Sequence, residues 1–231
     1  MGLLRRLIRG RRKLSSPHAA PEILALPWRP SELSLRHRGY ESYEQYVEHQ
    51  VSKLGQLDLT KYDRDYRAAL GKRLRASGVV KRGQSILCLG ARLGTECKAF
   101  IDLGAFAIGI DLNPGAGNRY VMHGDFHALQ FPDGSIDWVF TNVFDHAFDL
   151  HKMLDEATRV MKPSGGLIAE IVGGSVDDHG RDHGEFECLW WDKVEDVYAL
   201  LAGHDLKVVH DTRFEFPWKG HFVVFERATA R

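Results

Sequence analysis

Ile86-Leu87-Cys88-Leu89-Gly90-Ala91-Arg92-Leu93-Gly94-Thr95-Glu96 reads as an apolar strand that runs into a glycine turn and then a helix. Its four leading apolar residues suit a strand buried on both faces. The open N-terminus of the following helix offers free N–H donors to an anionic group. A dinucleotide site wants G-x-G-x-x-G, with a bare second position where a pyrophosphate touches backbone. Here those positions hold Gly90, Arg92 and Thr95, so only the first agrees. A ligand without pyrophosphate has no need of the second. Taken alone, the loop serves equally well as a structural strand-turn-helix. Its natural partner is Ala107-Ile108-Gly109-Ile110-Asp111, an apolar strand ending in a carboxylate 21 positions after Gly90. An acid at about that interval, roughly 20 residues on, stands at the next strand's carboxyl end and accepts from ribose hydroxyls. A lone Asp there would be a cap or turn residue; the interval to Gly90 favours a nucleoside.

The same alternation extends downstream. Ile136–Thr141 and Leu167–Val172 read as strands, and 96–103, 150–161 and 194–201 as helices. Buried-type strands separated by helices predict a doubly wound α/β sheet, mostly parallel. Leu206–Phe216 and His221–Glu226 have only Pro217 to Gly220 between them, which predicts a C-terminal antiparallel hairpin. Upstream, helices are expected over 41–55 and 62–77, and Pro17, Pro21, Pro27 and Pro30 mark 15–35 as an extended linker. The organisation expected is a basic arm and Pro-rich linker over 1–35, a helical extension over 36–80 and the α/β domain over 81–231.

The 31 basic and 31 acidic residues cancel, which removes the strong positive field that sequence-independent nucleic-acid binding uses. The cancellation hides an asymmetry: residues 1–13 carry +6 and the remainder −6. With Leu3, Leu4, Leu7 and Ile8 on one face, this arm reads as a frayed basic terminus, a weak membrane-surface contact or a mitochondrial transit segment. Cys88, Cys97 and Cys188 are odd in number and never spaced as CxxC, which argues for a reducing compartment and against a disulfide framework or structural zinc. The cytoplasm, with or without peripheral membrane contact, is the expected location, and the mitochondrion the alternative.

A third segment, His123-Gly124-Asp125-Phe126-His127-Ala128-Leu129-Gln130-Phe131-Pro132-Asp133-Gly134-Ser135-Ile136-Asp137, precedes an apolar strand. A fourth, Arg159-Val160-Met161-Lys162-Pro163-Ser164-Gly165-Gly166-Leu167, leads into the next. Together these resemble the class I S-adenosylmethionine-dependent methyltransferases of the type 11 group. The resemblance covers about residues 83–227, with Ser164 in place of the family's first glycine. It implies a Rossmann-like seven-stranded sheet and S-adenosylmethionine as cofactor. It implies that Gly90 and Gly94 shape the loop around the methionine, that Asp111 holds the ribose, and that Asp125 faces the adenine amino group with Phe126 beside the ring. Two positions depart from the pattern: Cys88 stands for an acid that helps hold the cofactor's ammonium, and Arg92 for a glycine. Glu96 is a candidate substitute for the missing acid, with a helix-dipole role as the alternative. Arg92 either approaches the methionine carboxylate or points to solvent.

Methyl transfer is an in-line displacement, so alignment is the main task and proton removal a secondary one. Ligands of open α/β sheets bind over the strands' carboxyl ends, which places Thr141-Asn142-Val143-Phe144-Asp145-His146 above the site. His146 with Asp145 beside it is the first candidate base, with a capping role as the alternative, and Asn142 is expected at the methionine end. The polar stretch Asp177 to Glu185 reads as a solvated lid without a metal motif, with His179 and His183 as reserve bases. One of Trp190 and Trp191 is expected in the core; the other is left open as core or acceptor wall. The expected function is methyl transfer to oxygen of a small-molecule, carbohydrate or lipid-linked acceptor, without a nucleic-acid partner or metal. The rivals are a non-catalytic cofactor-binding module and a nucleotide-dependent oxidoreductase. The sequence assigns no oligomeric state.

Overall fold

Ile86, Leu87, Cys88 and Leu89 are each at most 1% exposed, because alternate side chains enter two different cores. Leu87 and Leu89 join one cluster, and Ile86 and Cys88 the other. This is how a strand with period-two side chains becomes apolar throughout. The computed structural model describes residues 20–53, 60–177 and 181–228. The basic arm over 1–13 and His179 lie outside the described residues.

In chain order the elements are α1 (Pro21–Leu24), β1 (Trp28–Pro30), β2 (Arg36–Arg38), α2 (Tyr43–Ser52), α3 (Thr60–Ser77), β3 (Ser85–Leu89), α4 (Thr95–Ile101), β4 (Phe106–Asp111) and β5 (Val121–His123). They continue with β6 (Ile136–Thr141), α5 (Leu150–Val160), β7 (Met161–Val172), β8 (Leu189–Trp190), α6 (Val194–Ala202), β9 (Leu206–Phe214) and β10 (Gly220–Arg227). Seven strands form one sheet in the order β5-β4-β3-β6-β7-β10-β9. Pairings are parallel from β5 to β7, and β10 is antiparallel to both β7 and β9. The chain reverses its direction of winding between β3 and β6, which opens a crevice above their carboxyl ends.

On one face α5 presents Leu150, Met153, Leu154, Ala157 and Val160 at helical spacing to the sheet. The Asp149 side chain caps α5 by accepting from Lys152 N. On the other face Tyr66, Leu70 and Leu74 of α3 pack with Phe100 of α4. Trp190 and Trp191 are both core, at 0% and 1% exposure. Their indole N–H groups donate to Ser175 Oγ (2.7 Å) and the Val172 carbonyl (3.2 Å), so neither is an acceptor wall.

The Pro-rich stretch is more structured than its composition implied. β1 and β2 pair antiparallel, and β2 pairs with β8, making a second, three-stranded sheet. Pro30 is tolerated because β1 is an edge strand, where a missing N–H leaves no ladder bond broken. Arg38, 4% exposed, bolts this segment down by donating to the carbonyls of Glu187 (2.9 Å), Ile23 (3.2 Å) and Gly184 (3.1 Å). No helix among the described residues is long and apolar enough to cross a membrane.

Candidate active site

Beyond β3 the chain turns at Gly90, φ +66°, where an added Cβ would stand 2.6 Å from Val143 Cγ2. A bare backbone is required there on both counts. Arg92 takes φ +41°, a left-handed conformation that costs a side-chain-bearing residue about 1 kcal/mol. Its N–H donates to Asp111 Oδ2 (2.9 Å). Asn113 N–H donates to Oδ1 of the same carboxylate (2.8 Å), so Asp111 is held at the end of β4 by two backbone donors. Gly94, φ +77°, forms the N-cap of α4.

Above this loop lies a cavity of about 470 Å³ that opens to solvent, lined by Gly90, Arg92, Asp111, Leu112, Phe126, Val143 and His146. Its remaining wall is Tyr46, Gln50 and Lys53, from α2 and the residue after it. A second cavity, of about 670 Å³, shares Arg92, Val143 and His146 with the first. Its own lining includes Tyr62, Asn142, Asp145, Arg181, Glu187 and Trp218. The junction is therefore an arginine, a valine and a histidine standing over the strand ends.

His146 Nδ1 donates to the Phe186 carbonyl (2.8 Å), which fixes the tautomer and leaves Nε2 to accept from Lys53 Nζ (3.2 Å). Burial, reinforced by the Lys53 charge, holds His146 well below the usual imidazole range. Burial and the neighbouring Arg92 bring Lys53 down to about 8. Burial and the nearby Glu187 push Asp145 up to about 7, although its Oδ1 lies 3.9 Å from His146 Nε2. Both ring nitrogens of His146 are thus engaged, whereas Asp145 is a carboxyl poised to titrate near neutrality in the second cavity.

A buried polar chain runs beside these cavities. Asn142 Nδ2 donates to Glu96 Oε1 (3.2 Å) and to the Tyr66 hydroxyl oxygen (2.8 Å). Tyr66 donates in turn to Glu170 Oε2 (2.7 Å), and Arg73 Nε donates to Glu170 Oε1 (2.6 Å). Burial pushes Glu96 up to about 7. Cys88 is fully buried, and burial raises its thiol well above the usual range, so it brings no charge to replace an acid.

Of the residues singled out in the sequence, Gly90, Arg92, Asp111 and Phe126 line the first cavity, Asn142 and Asp145 the second, and His146 both. Asp125 adjoins Phe126. Gly94 and Glu96 line neither cavity: one shapes the turn, the other lies behind Asn142. The described residues of the polar stretch are spread out rather than gathered. Asp177 accepts from Val194 N (2.8 Å), His183 stacks on Trp28 at 4.0 Å, and of the described residues there Arg181 alone reaches the second cavity. Among the described residues no cluster of His, Cys, Asp and Glu is arranged to hold a metal. The sequence reading missed Tyr46, Gln50 and Lys53: periodicity marked a helix there, but no local signal told which cavity it crosses.

A Methyltransferase domain family model matches residues 87–169. Over 73 residues the chain is 37% identical to malonyl-(acyl-carrier protein) O-methyltransferase 1 of Coxiella burnetii, covering 30% of this chain and 26% of that protein. Over 142 residues it is 34% identical to an uncharacterized 37.1 kDa protein in transposon TN4556 of Streptomyces fradiae, covering 54% of this chain and 40% of that one. The chain spans less than half the length of these curated relatives. Its fold is that of the Burkholderia thailandensis 1,6-didemethyltoxoflavin-N1-methyltransferase, solved with bound 1,6-didemethyltoxoflavin and S-adenosylhomocysteine. The TM-score is 0.61 over 87% of this chain and 98% of that one, at 13% identity. The methyltransferase match over residues 87–169 and the shared fold agree with a class I S-adenosylmethionine-dependent methyltransferase, a family whose cofactor is S-adenosylmethionine. The site agrees with that cofactor: Gly90, Asp111 and Phe126 line one cavity over the strand ends, with Asp111 the last residue of β4.

Proposed function

We propose that the chain transfers the methyl group of S-adenosylmethionine to an oxygen of a small-molecule, carbohydrate or lipid-linked acceptor. The observation that carries this reading is the pair of cavities meeting at Arg92, Val143 and His146, with a titratable carboxyl, Asp145, in the second. The cofactor supplies a methyl already joined to its leaving group, so the protein's main contribution is alignment. Asp111 is the residue to hold the ribose, and Asp125 with Phe126 the adenine. Gly90 and Gly94 shape the loop around the methionine, whose ammonium falls to Asn142, with Glu96 behind it, in the absence of an acid at Cys88. The Arg92 guanidinium makes no hydrogen bond or ion pair among the described residues, its backbone alone being bonded, which leaves the side chain for the methionine carboxylate. Asp145 takes the acceptor's proton, and neutral His146 packs at the junction beside it. The names of the relatives do not decide the methylated atom, since one is an O-methyltransferase and one structure is an N1-methyltransferase. The reading of oxygen rests on Asp145, because a hydroxyl needs a base. The basic arm over 1–13 is assigned a weak contact with anionic membrane surfaces, screened by salt.

The test has two stages. S-adenosylhomocysteine should raise the melting temperature, by about 2.7 kcal/mol of stability at a hundredfold excess over Kd, and NAD should not. Labelled cofactor incubated with fractionated host extract should then yield a labelled product bearing a methyl ether or ester. Stabilisation by NAD alone would overturn the cofactor assignment. Binding without transfer to any fraction would point to a non-catalytic module.

A further inference from the structure

We propose that Tyr43 and His127 are cofactor-positioning residues that clamp the Asp125 carboxylate at the adenine end of the first cavity, so that helix α2 takes part in reading the base. This rests on the reading above, in which adenine lies against Asp125 and Phe126. Asp125 follows the short edge strand β5, and a carboxylate on such a loop is free to rotate unless donors hold it. Three donors from two parts of the chain do so. Oδ1 accepts from the His127 backbone N–H (2.8 Å) and from His127 Nδ1 (2.8 Å), and Oδ2 accepts from the Tyr43 hydroxyl.

The position of the His127 proton follows from its other nitrogen. Nε2 accepts from the backbone N–H of Asp149 (3.2 Å), so the proton sits on Nδ1 and points at Asp125. The Tyr43 oxygen lies 3.1 Å from that same Nδ1, which closes a triangle of tyrosine, carboxylate and imidazole. His127 is 3% exposed and meets Tyr43 and Tyr46 of α2 edge-on, with ring centroids 5.7 and 5.9 Å apart. Burial alone would raise Asp125, but His127 and Tyr43 override it and hold the carboxyl at about 2.

An ionised carboxylate has about four acceptor directions, and three are taken. What remains suits one further donor. An exocyclic amine supplies it, whereas a 6-oxo purine sets an oxygen against the carboxylate. The clamp thereby turns a rotatable acid into a fixed acceptor. Because Tyr43 lies upstream of residues 87–169, which match the family model, base recognition on this reading draws on a helix outside that match.

The experiment measures calorimetric affinities of S-adenosylhomocysteine, 5′-methylthioadenosine and S-inosylhomocysteine for wild type, Tyr43→Phe, His127→Ala, His127→Asn and Asp125→Ala. Tyr43→Phe should weaken the two adenosine ligands by the same factor, about tenfold, and narrow the preference for adenine over hypoxanthine. His127→Ala should do the same, and His127→Asn should recover much of the loss, since its amide replaces the Nδ1 donor. A merely structural role would lower the melting temperature and leave the base preference intact, and that result overturns the proposal. If Asp125→Ala loses affinity and preference while Tyr43→Phe and His127→Ala keep both, the clamp is refuted and the adenine assignment stands. If Asp125→Ala also keeps both, the adenine assignment itself fails.

Discussion

Nζ of Lys53 stands 3.2 Å from Nε2 of His146, and with that contact the extension before the α/β domain reaches the junction of the two cavities. A lysine donating to one nitrogen and a carbonyl accepting from the other leave the imidazole neutral and without a free lone pair. Lys53→Met should move the His146 pKa up toward its ordinary value, since removing a nearby cation favours the protonated ring. The Nδ1–H tautomer should persist, because the Phe186 carbonyl still accepts. Long-range ¹H–¹⁵N spectra of the histidine rings over pH 4–8 read both. An unchanged His146 titration in the variant would show that the contact is absent in solution.

Asp145 makes the kinetic prediction. Its carboxyl, at about 7, should give a rate that rises with pH to a midpoint near that value, since the ionised form accepts the proton. Asp145→Asn should lower kcat about 10²–10⁴-fold with S-adenosylhomocysteine affinity nearly unchanged. Lys53 opposes the rise in the Asp145 pKa, so Lys53→Met should move the acid limb upward. A His146→Ala variant that lost rate as Asp145→Asn does, in a wild type whose profile lacked a limb near 7, would return the base role to His146.

Arg92→Gly separates backbone from side chain. Glycine relieves the left-handed strain at φ +41°, so the melting temperature should hold or rise slightly. Loss of the guanidinium should weaken S-adenosylhomocysteine about tenfold and leave 5′-methylthioadenosine, which has no carboxylate, unaffected. An equal effect on both ligands would remove Arg92 from the methionine end.

The residues that were legible in the sequence are those whose role is local. Gly90, Asp111 and Asn142 follow strands whose apolar runs announce them, and the crevice position follows from sheet topology. β5 was invisible because three residues are too few to show a period. The β1–β2–β8 sheet was hidden for another reason: Arg36 pairs with Trp190, a contact between segments about 150 residues apart that no window of sequence contains. Lys53 and Tyr43 were missed likewise, since a polar helix face shows nothing of the cavity it covers.

Arg73 and Glu170 predict a stability effect remote from the chemistry. Glu170 is 2% exposed and its charge is met by Arg73 Nε at 2.6 Å. Arg73→Met should cost about 3–5 kcal/mol, because it leaves a buried carboxylate with only Tyr66 as donor. Adding Glu170→Gln should restore part of that in urea unfolding, since the uncompensated charge is then gone. If Arg73→Met alone is nearly neutral, the buried pair contributes little in solution.

Glu96 makes a prediction with opposite signs for stability and binding. Burial lifts its folded pKa to about 7 from an ordinary 4.5, so between those values the folded chain keeps a proton that the unfolded chain has released. The contribution is therefore most favourable below about pH 4.5 and is lost as pH rises to about 7. Glu96→Gln should remove this dependence: its amide oxygen still accepts from Asn142, and no charge is buried. The variant's melting temperature should match wild type near pH 4.5, exceed it increasingly toward pH 7 and level off above. The gain at pH 8 should be on the order of 1–3 kcal/mol. Asp145 has the same sign, so Glu96→Gln with Asp145→Asn should flatten the profile further. Affinity for S-adenosylhomocysteine should fall about tenfold at pH 8, where the wild-type carboxylate is ionised beside the ammonium. It should fall less at pH 6, where that carboxyl is mostly protonated without ligand and binding must first release the proton. A melting difference that is flat from pH 5 to 8 would show that Glu96 is ionised throughout, and an unchanged affinity would leave the ammonium to Asn142 and the loop backbone.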